Sequence, residues 1–420
     1  MIIPKPISGF KEYLPEEEKI QKEIIKIIET EYNIAGFIEI DTSIIERNKI
    51  LLAKGGLETK EIYTIGKMGD KKEKEFSLRF DQTIPFARYV AQNYGKLIYP
   101  FKRYQIGKVY RGERPADGRF REFYQADIDI IGDKTLSLSY DAEIISIINN
   151  IFKKINIGKF QIRINNRKLQ LGLIEEYNIT NTGWILKTLD KLDKLPKEEI
   201  FNLLKEKLEE KIAQKLIDFA TLERNNKEVI KSFSNNELYQ EGVKELIQVI
   251  EEANLMGVEK ENIIIDTSIA RGLDYYTGTI YETYIEADKN IGSVCSGGRY
   301  ENLASEYTKQ KLPGVGISIG VSRLVYSIIK NKLKETPTQK NAEYLVFTNR
   351  DKEKMLKVVK KMRNLGMSCE ISFLDSYKKE IKLAQKKGYT KIVFAVDYDD
   401  RIIIRDLLKD RKESDTYIEV

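Results

Sequence analysis

The 420-residue chain contains no histidine, two cysteines, nine prolines and one tryptophan. The missing histidine excludes imidazole-based nucleophile triads, HExxH metal sites and imidazole proton shuttles. Chemistry must run on carboxylates, Arg, Lys, Tyr or a bound metal. Cys295 and Cys369 stand far apart. They form no C-x-x-C pair, supply no cysteine zinc site and build no disulfide framework; a reduced, cytoplasmic compartment is the simplest expectation. No apolar run reaches the roughly eighteen residues that span a bilayer, so no membrane association is expected. The opening MIIPKPISGFKEYLPEEE lacks a signal-peptide core. Charge of one sign is also scarce: 71 basic against 65 acidic residues leave +6, compatible with a polyanionic partner but insufficient to imply one.

What is present is an ordinary globular composition, 41% hydrophobic and 32% charged, long enough for two or three domains. EEEKIQKEIIKIIETEYNI (16–34) has helical apolar spacing with acidic residues leading. Segments 38–42 and 76–80 read as strands, and 84–94 as a helix. The stretch 101–131 reads as short β-type runs broken by the turn ERPADGR, where Asp117-Gly118 suits a hairpin. A helix at 139–155 and a strand at 159–165 follow. Residues 166–260 are helical, charge-dense and Lys/Glu-rich, a helical insertion. Strand character returns over 262–300, and PGVGISIGVSRLVYSIIK (313–330) reads as a strand entering a helix. The polar segment 331–341 is a linker. Beyond it, strand and helix patterns alternate as βαβαβ, with helices closed by Gly366 and Gly388, predicting a small α/β domain with a mainly parallel sheet.

Four constellations carry the chemistry. In RYQIGKVYRGERPADGRFREFYQADIDIIG (103–132), Arg103, Arg111, Arg114, Arg119 and Arg121 surround a turn. A solvated mixed-charge hairpin would look similar. Yet arginine dominates in a Lys-rich chain, and its fork fits phosphate or carboxylate. At a period of two, Phe123, Gln125, Asp127 and Asp129 share one strand face. An aromatic, an amide and two carboxylates suit a planar ring and an amine, as in a nucleoside triphosphate plus an amino acid. RGLDYYTGTIYETY (271–284) is either a tyrosine-rich strand or a site with close backbone approach at Gly272 and Gly278. SGGRYENL (296–303) is a glycine pair before Arg and Tyr. GVGISIGVSRL (314–324) is neither a Walker A loop nor a dinucleotide fingerprint.

In this order, with LRFDQTIPFARY (78–89) ahead of them, these blocks resemble the histidyl-tRNA synthetases (histidine–tRNA ligases) of class II. The likeness runs from ISGFKEYLPEE to the terminal domain. It implies an α+β fold: an antiparallel sheet core flanked by helices (1–165 and 261–330), a helical insertion (166–260), a linker (331–341) and a small C-terminal α/β anticodon-binding domain (342–420). It implies ATP as a substrate that carries Mg²⁺, no structural metal, and histidine and tRNA(His) as partners in a homodimer.

The resemblance also implies roles. Arg111 and Arg271 would be catalytic at the α-phosphate and reacting carboxylate, and both would also contact the histidine. Glu113 and Phe123 would hold adenine, and Arg119 and Arg323 the outer phosphates, with Arg111 completing the ATP site. Asp81, Thr83 and Gln125 would hold the α-amino group. Asp129, Tyr276 and Tyr300, with Tyr275 beside them, would surround the imidazole. Four departures stand out: Ser43 where the first motif usually has proline, Ser322 where glutamate usually precedes the arginine of the third motif, Asp81 and Asp129 where many bacterial members carry Glu, and DYDDRIIIRDLL (397–408) without the usual glycine turn. Two other readings keep the scaffold without the ligase: a non-catalytic paralogue such as the ATP phosphoribosyltransferase regulatory subunit, and an RNA-binding or signalling module. Arg111, Arg271, Arg323 and residues 343–420 argue against the first. The Phe123 and Asp81/Gln125/Asp129 set argues against the second.

Overall fold

A computed structural model describes residues 2–53, 59–69, 74–193, 195–225, 227–269, 276–301, 303–349, 351–396, 401–409 and 415–418. The chain divides into two compact units, residues 1–12 with 20–335 and residues 13–19 with 336–420.

Helix α1 (Pro15–Ile34) begins with Glu16, Glu17 and Glu18, which suit the positive end of a helix dipole, and buries Ile20, Ile24, Ile28 and Tyr32 along one stripe. The segment expected as a strand over 38–42 pairs only at β1 (Ile38–Glu39). A ribbon follows, built from β2 (Ile45–Arg47), β3 (Thr64–Ile65) and β4 (Phe76–Leu78), with the short α2 (Asn48–Leu51) between β2 and β3. Ile38, Ile44, Ile45, Leu52 and Phe76 are exposed on and beside it. After α3 (Thr83–Asn93) come β5 (Phe101–Tyr110) and β6 (Glu122–Ile131). The region expected as short runs is thus two ten-residue strands, paired without a break from Phe101↔Ile131 to Tyr110↔Glu122.

Then come α4 (Ser139–Ile155) and β7 (Phe160–Asn166). The helices α5 (Arg167–Glu176), α6 (Thr182–Leu189), α7 (Lys197–Lys205), α8 (Glu210–Ala220), α9 (Lys227–Ser232) and α10 (Glu237–Leu255) follow. Gly172 on α5 and Gly242 on α10 let these two helices touch: a Cβ on Gly172 would overlap the backbone of Tyr239, and one on Gly242 would strike Lys168 and Leu169. The unit closes with β8 (Ile263–Ile265), β9 (Tyr276–Ile285), β10 (Cys295–Tyr300), β11 (Gly314–Gly320) and α11 (Val321–Lys330).

The main sheet runs β1-β5-β6-β11-β10-β9-β7-β8, antiparallel except for β1 with β5 and β7 with β8. Alternation sorts its side chains between two faces. Helices α1 and α4 cover one face: Tyr32 packs on Tyr104 and donates to the Ala126 carbonyl at 3.0 Å, and Asp141 binds the buried Arg299. The other face carries the polar groups described below.

The second unit has β12 (Tyr344–Phe347), α12 (Lys352–Asn364), β13 (Cys369–Ser372), α13 (Tyr377–Lys387) and β14 (Lys391–Val396), then β15 (Ile402–Asp406) and β16 (Asp415–Ile418). Val346 and Val393 face Met355, Val358 and Met362, whereas Leu345, Phe347 and Ile392 face Ala384. Helices on both faces explain the uninterrupted apolar runs. The order is β13-β12-β14-β15-β16, with only the first three strands parallel. The expectation of a mainly parallel sheet is therefore corrected: IIIRD follows β14 after residues 397–401 alone, too short a connection for a parallel crossover, and turns back as an antiparallel strand. Gly366 and Gly388 adopt positive φ just past α12 and α13, as left-handed helix endings require. No helix of the described residues is long and apolar enough to cross a membrane.

Candidate active site

Strand β6 organises the polar face. Phe123, Gln125, Asp127 and Asp129 project to one side and extend over roughly 20 Å at strand rise. Their partners on β5 are Val109, Gly107, Gln105 and Arg103. On β11, Gly320, Ser318 and Gly316 stand opposite Gln125, Asp127 and Asp129.

At the Phe123 end lies a cleft of about 140 Å³ lined by Arg111, Glu113, Arg119, Phe123, Gln125 and Arg323. Arg111 lies 4.4 Å from the Phe80 ring centroid and 5.2 Å from that of Phe123, and donates through Nε to the Phe80 carbonyl at 3.3 Å. Its guanidinium is thus held by ring faces and one carbonyl. Arg323 donates to the carbonyls of Gly118 (3.3 Å) and Ser293 (2.8 Å), which aim it into the cleft beneath the 113–119 turn. Gln125 donates to Ser318 Oγ at 2.8 Å, leaving its buried carbonyl oxygen without a hydrogen-bond partner among the described residues.

At the Asp129 end the charges are buried. Asp129 accepts from the Tyr300 hydroxyl at 2.8 Å and is ion-paired through its other oxygen to Arg103 Nη2. Arg103 is 0% exposed and stacks 4.0 Å from the centroid of Phe86 on α3. Burial raises the Asp129 carboxyl above its usual range, while Arg103 and Tyr300 oppose that. The glycines of GVGISIG make room: a Cβ on Gly316 would overlap Asp129 Oδ1, and one on Gly314 would enter the Tyr300 ring. Tyr276 heads β9 opposite Tyr300, and its ring lies where a Cβ on Gly298 would intrude.

Asp81 closes this end from the start of α3. Its Oδ1 accepts from the Ile84 N–H at 3.0 Å, a helix-capping contact that also places Thr83 as the first helical residue. Its Oδ2 has no partner among the described residues. Burial raises its carboxyl, and the backbone donors and Arg111 pull it back.

A cationic, aromatic cleft adjoining a buried polar pocket matches a known architecture. The family model described as Histidyl-tRNA synthetase matches residues 9–324. The chain belongs to the histidyl-tRNA synthetase family. A histidine–tRNA ligase of Clostridium tetani is 42% identical, with 99% of this chain and 94% of that one covered. One of Finegoldia magna is 40% identical, with 95% and 93% covered. The crystal structure of histidyl-tRNA synthetase from Nostoc sp. PCC 7120 superposes with a TM-score of 0.88 at 34% identity, covering 100% of this chain and 97% of that one.

Within this synthetase fold, the structure brings together Asp81, Arg111, Glu113, Arg119, Phe123, Gln125, Asp129, Tyr276, Tyr300 and Arg323 on one side of the sheet, and Thr83 stands two residues after Asp81 at the start of α3. Arg271 and Tyr275 lie outside the described residues. Two departures have local explanations. Ser322 accepts from the Tyr124 N–H at 2.9 Å, tying α11 to β6. Ser43 accepts from the Ile45 N–H at 3.3 Å, a side-chain turn leading into β2. Sequence reasoning put Asp127 on the site face and Arg103 in the arginine cluster without giving either a specific contact, and it left Gln82 and Ser318 unassigned. Once the hairpin register is known, the signal is plain: Arg103 is the cross-strand partner of Asp129, and Ser318 that of Asp127.

Proposed function

We propose that the protein is a histidine–tRNA ligase of the cytoplasm, which joins histidine to ATP as histidyl-adenylate and passes the histidyl group to tRNA(His). The observation that carries this reading is the single strand face on which Phe123, Gln125 and Asp129 follow one another, with Arg111 at one end and the Arg103–Asp129–Tyr300 set at the other. A ligand laid along it has its adenine against Phe123 and Glu113, its α-phosphate and carboxylate at Arg111 and Arg271, and its outer phosphates, with the magnesium ion they carry, at Arg119 and Arg323. Its ammonium meets Asp81, Thr83 and Gln125. Its imidazole meets Asp129, Tyr276 and Tyr300, with Tyr275 alongside.

In the first step the histidine carboxylate forms a bond to the α-phosphorus and the bond to pyrophosphate breaks. Charge grows on the phosphoryl oxygens, so fixed guanidinium groups favour the transition state over the ground state. No general base is needed, because the carboxylate is already ionised; a chain without histidine can do this. In the second step a hydroxyl of the terminal tRNA ribose displaces AMP from the carbonyl carbon. An ionised acceptor beside a tyrosine hydroxyl reads the imidazole N–H and its other nitrogen, and rejects apolar rings by leaving buried groups unpaired.

Residues 342–420 fit an anticodon-binding role, and 166–260 an arm beside the catalytic core. The exposed Ile38, Ile44, Ile45, Leu52 and Phe76 support a homodimer through the β2–β4 ribbon; light scattering reports it. Histidine-dependent exchange of pyrophosphate into ATP tests the whole reading. Exchange followed by charging of tRNA(His) is expected, and its absence in folded protein favours the regulatory paralogue. Arg271→Lys is expected to slow adenylation far more than it weakens histidine binding.

A further inference from the structure

Asp127 has no part in the scheme above, yet it sits midway between Gln125 and Asp129 on the same strand face, opposite Gln105 on β5 and Ser318 on β11. It is 2% exposed. One oxygen interacts with the Ser318 hydroxyl, and Oδ1 has no hydrogen-bond partner among the described residues. Three neighbouring buried acceptors share that condition: Asp81 Oδ2, Gln82 Oε1 and Gln125 Oε1. Gln82 and Gln125 are directly linked, since Gln82 Nε2 donates to the Gln125 carbonyl at 3.2 Å, and the Asp81 charge reaches Asp127. Buried acceptors without donors are rare in folded proteins, and these four, from residues linked to one another along the strand face, suit a donor-rich ligand even beside Arg103, whose Nε and Nη1 also lack hydrogen-bond partners among the described residues.

We propose that Asp127 is a substrate-binding residue of the amino-acid pocket, whose carboxylate takes one N–H of the substrate's α-ammonium alongside Asp81 and Gln125. The inference rests on the amino-acid pocket proposed above and deepens it. An ammonium brings three N–H donors and one positive charge. Asp81 Oδ2, Gln125 Oε1 and Asp127 Oδ1 offer three acceptors. Three buried carboxylates, Asp81, Asp127 and Asp129, meet two buried guanidiniums that already have partners, Arg103 with Asp129 and Arg79 with Asp41, so positive charge is in deficit around Asp127.

The charged and titratable groups that act on Asp127 come from every side. They are Arg103 on β5, Arg79 and Asp81 on the segment from β4 into α3, Asp129 on its own strand, Cys295 on β10 and Tyr32 on α1. Burial is the largest influence and pushes the Asp127 carboxyl up to about 7; Arg103 and Ser318 lower it, and Asp129 and Asp81 raise it. Burial thus favours the neutral acid, and an ammonium bound beside it would favour the carboxylate.

The deciding variant is Asp127→Asn, measured by pyrophosphate exchange with histidine and by inhibition with imidazolepropionate, which keeps the ring and carboxylate but lacks the ammonium. The KM for histidine is expected to rise roughly tenfold to hundredfold, the worth of one charge-assisted hydrogen bond. The KM for ATP and the inhibition constant of imidazolepropionate are expected to stay within about twofold. An unchanged histidine KM overturns the proposal. So does an equal loss for histidine and imidazolepropionate, which would make Asp127 a support of pocket shape. If the variant does not fold, calorimetry on the unmodified protein decides. Binding of triazolylalanine, an isostere whose ring stays neutral near pH 7, is expected to release a fraction of a proton, and no release overturns the proposal. A protein without any histidine-dependent exchange would instead overturn the ligase reading itself.

Discussion

The two ends of the β6 face solve opposite problems. At the nucleotide end, Arg111 and Arg323 are half-buried and held by ring faces and backbone carbonyls. At the amino-acid end, Arg103, Asp127 and Asp129 are removed from water and held by one another and by Tyr300 and Ser318. Half-buried guanidiniums anchored by rings and carbonyls suit a large, highly charged ligand. A desolvated polar cluster instead fixes each group's direction and punishes any ligand that fails to complete it. On the proposed function, grip on ATP and choice of amino acid are therefore separable.

The largest effect is expected from Arg103→Leu. Removing one partner of a buried ion pair strands the other and costs about 3–5 kcal/mol. Chemical denaturation would show a lower midpoint, and histidine binding would fail with it. Next is Gly316→Ala. The added methyl collides with Asp129 Oδ1 and the Ile128 carbonyl, an overpacking expected to cost about 1–3 kcal/mol. Its KM for histidine should rise while its KM for ATP stays nearly constant. If both rose equally, the two ends would not be separable.

The pH dependence of stability sharpens the contrast. The folded Asp127 carboxyl is raised from 3.8 to about 7. Its proton is therefore bound more tightly in the folded than in the unfolded chain. The associated stability is complete below pH 4 and is lost as pH rises through 7. Asp127→Asn, which cannot ionise, should melt higher than the unmodified protein at pH 8, and the gap should shrink or reverse at pH 5. The smallest effect on stability is expected from Arg323→Lys. It keeps the charge of a half-buried guanidinium but not its fork, so the melting temperature should move little while the KM for ATP rises roughly tenfold.

How much of this could be read in advance follows the same division. Helix α4 was legible to the residue, because its apolar spacing is strong, and the period of two on β6 correctly grouped Phe123, Gln125, Asp127 and Asp129. Arg111 and Arg323 stood out because their blocks are dense and resemble a known family. Arg103 did not. A strand's alternation reveals its faces but not which residue of the next strand stands opposite, and pairing with Asp129 depends on that register. The glycines of GVGISIG read only as part of a strand entering a helix, because the side chains that need their space, Asp129 and Tyr300, come from other strands. The antiparallel return of β15 was hidden for a related reason: IIIRD is equally apolar in either direction.

The glycine contact between α5 and α10 has a mechanical consequence. Two backbones that meet at Gly172 and Gly242 leave no room for a side chain to wedge between α5 and α10, α10 also rests on α4 and β7, and the end of α8 is tied back where Thr267 donates to the Phe219 carbonyl at 2.6 Å. The root of the arm is therefore braced on the core, so a load on α5 or α10 is a load on the sheet as well.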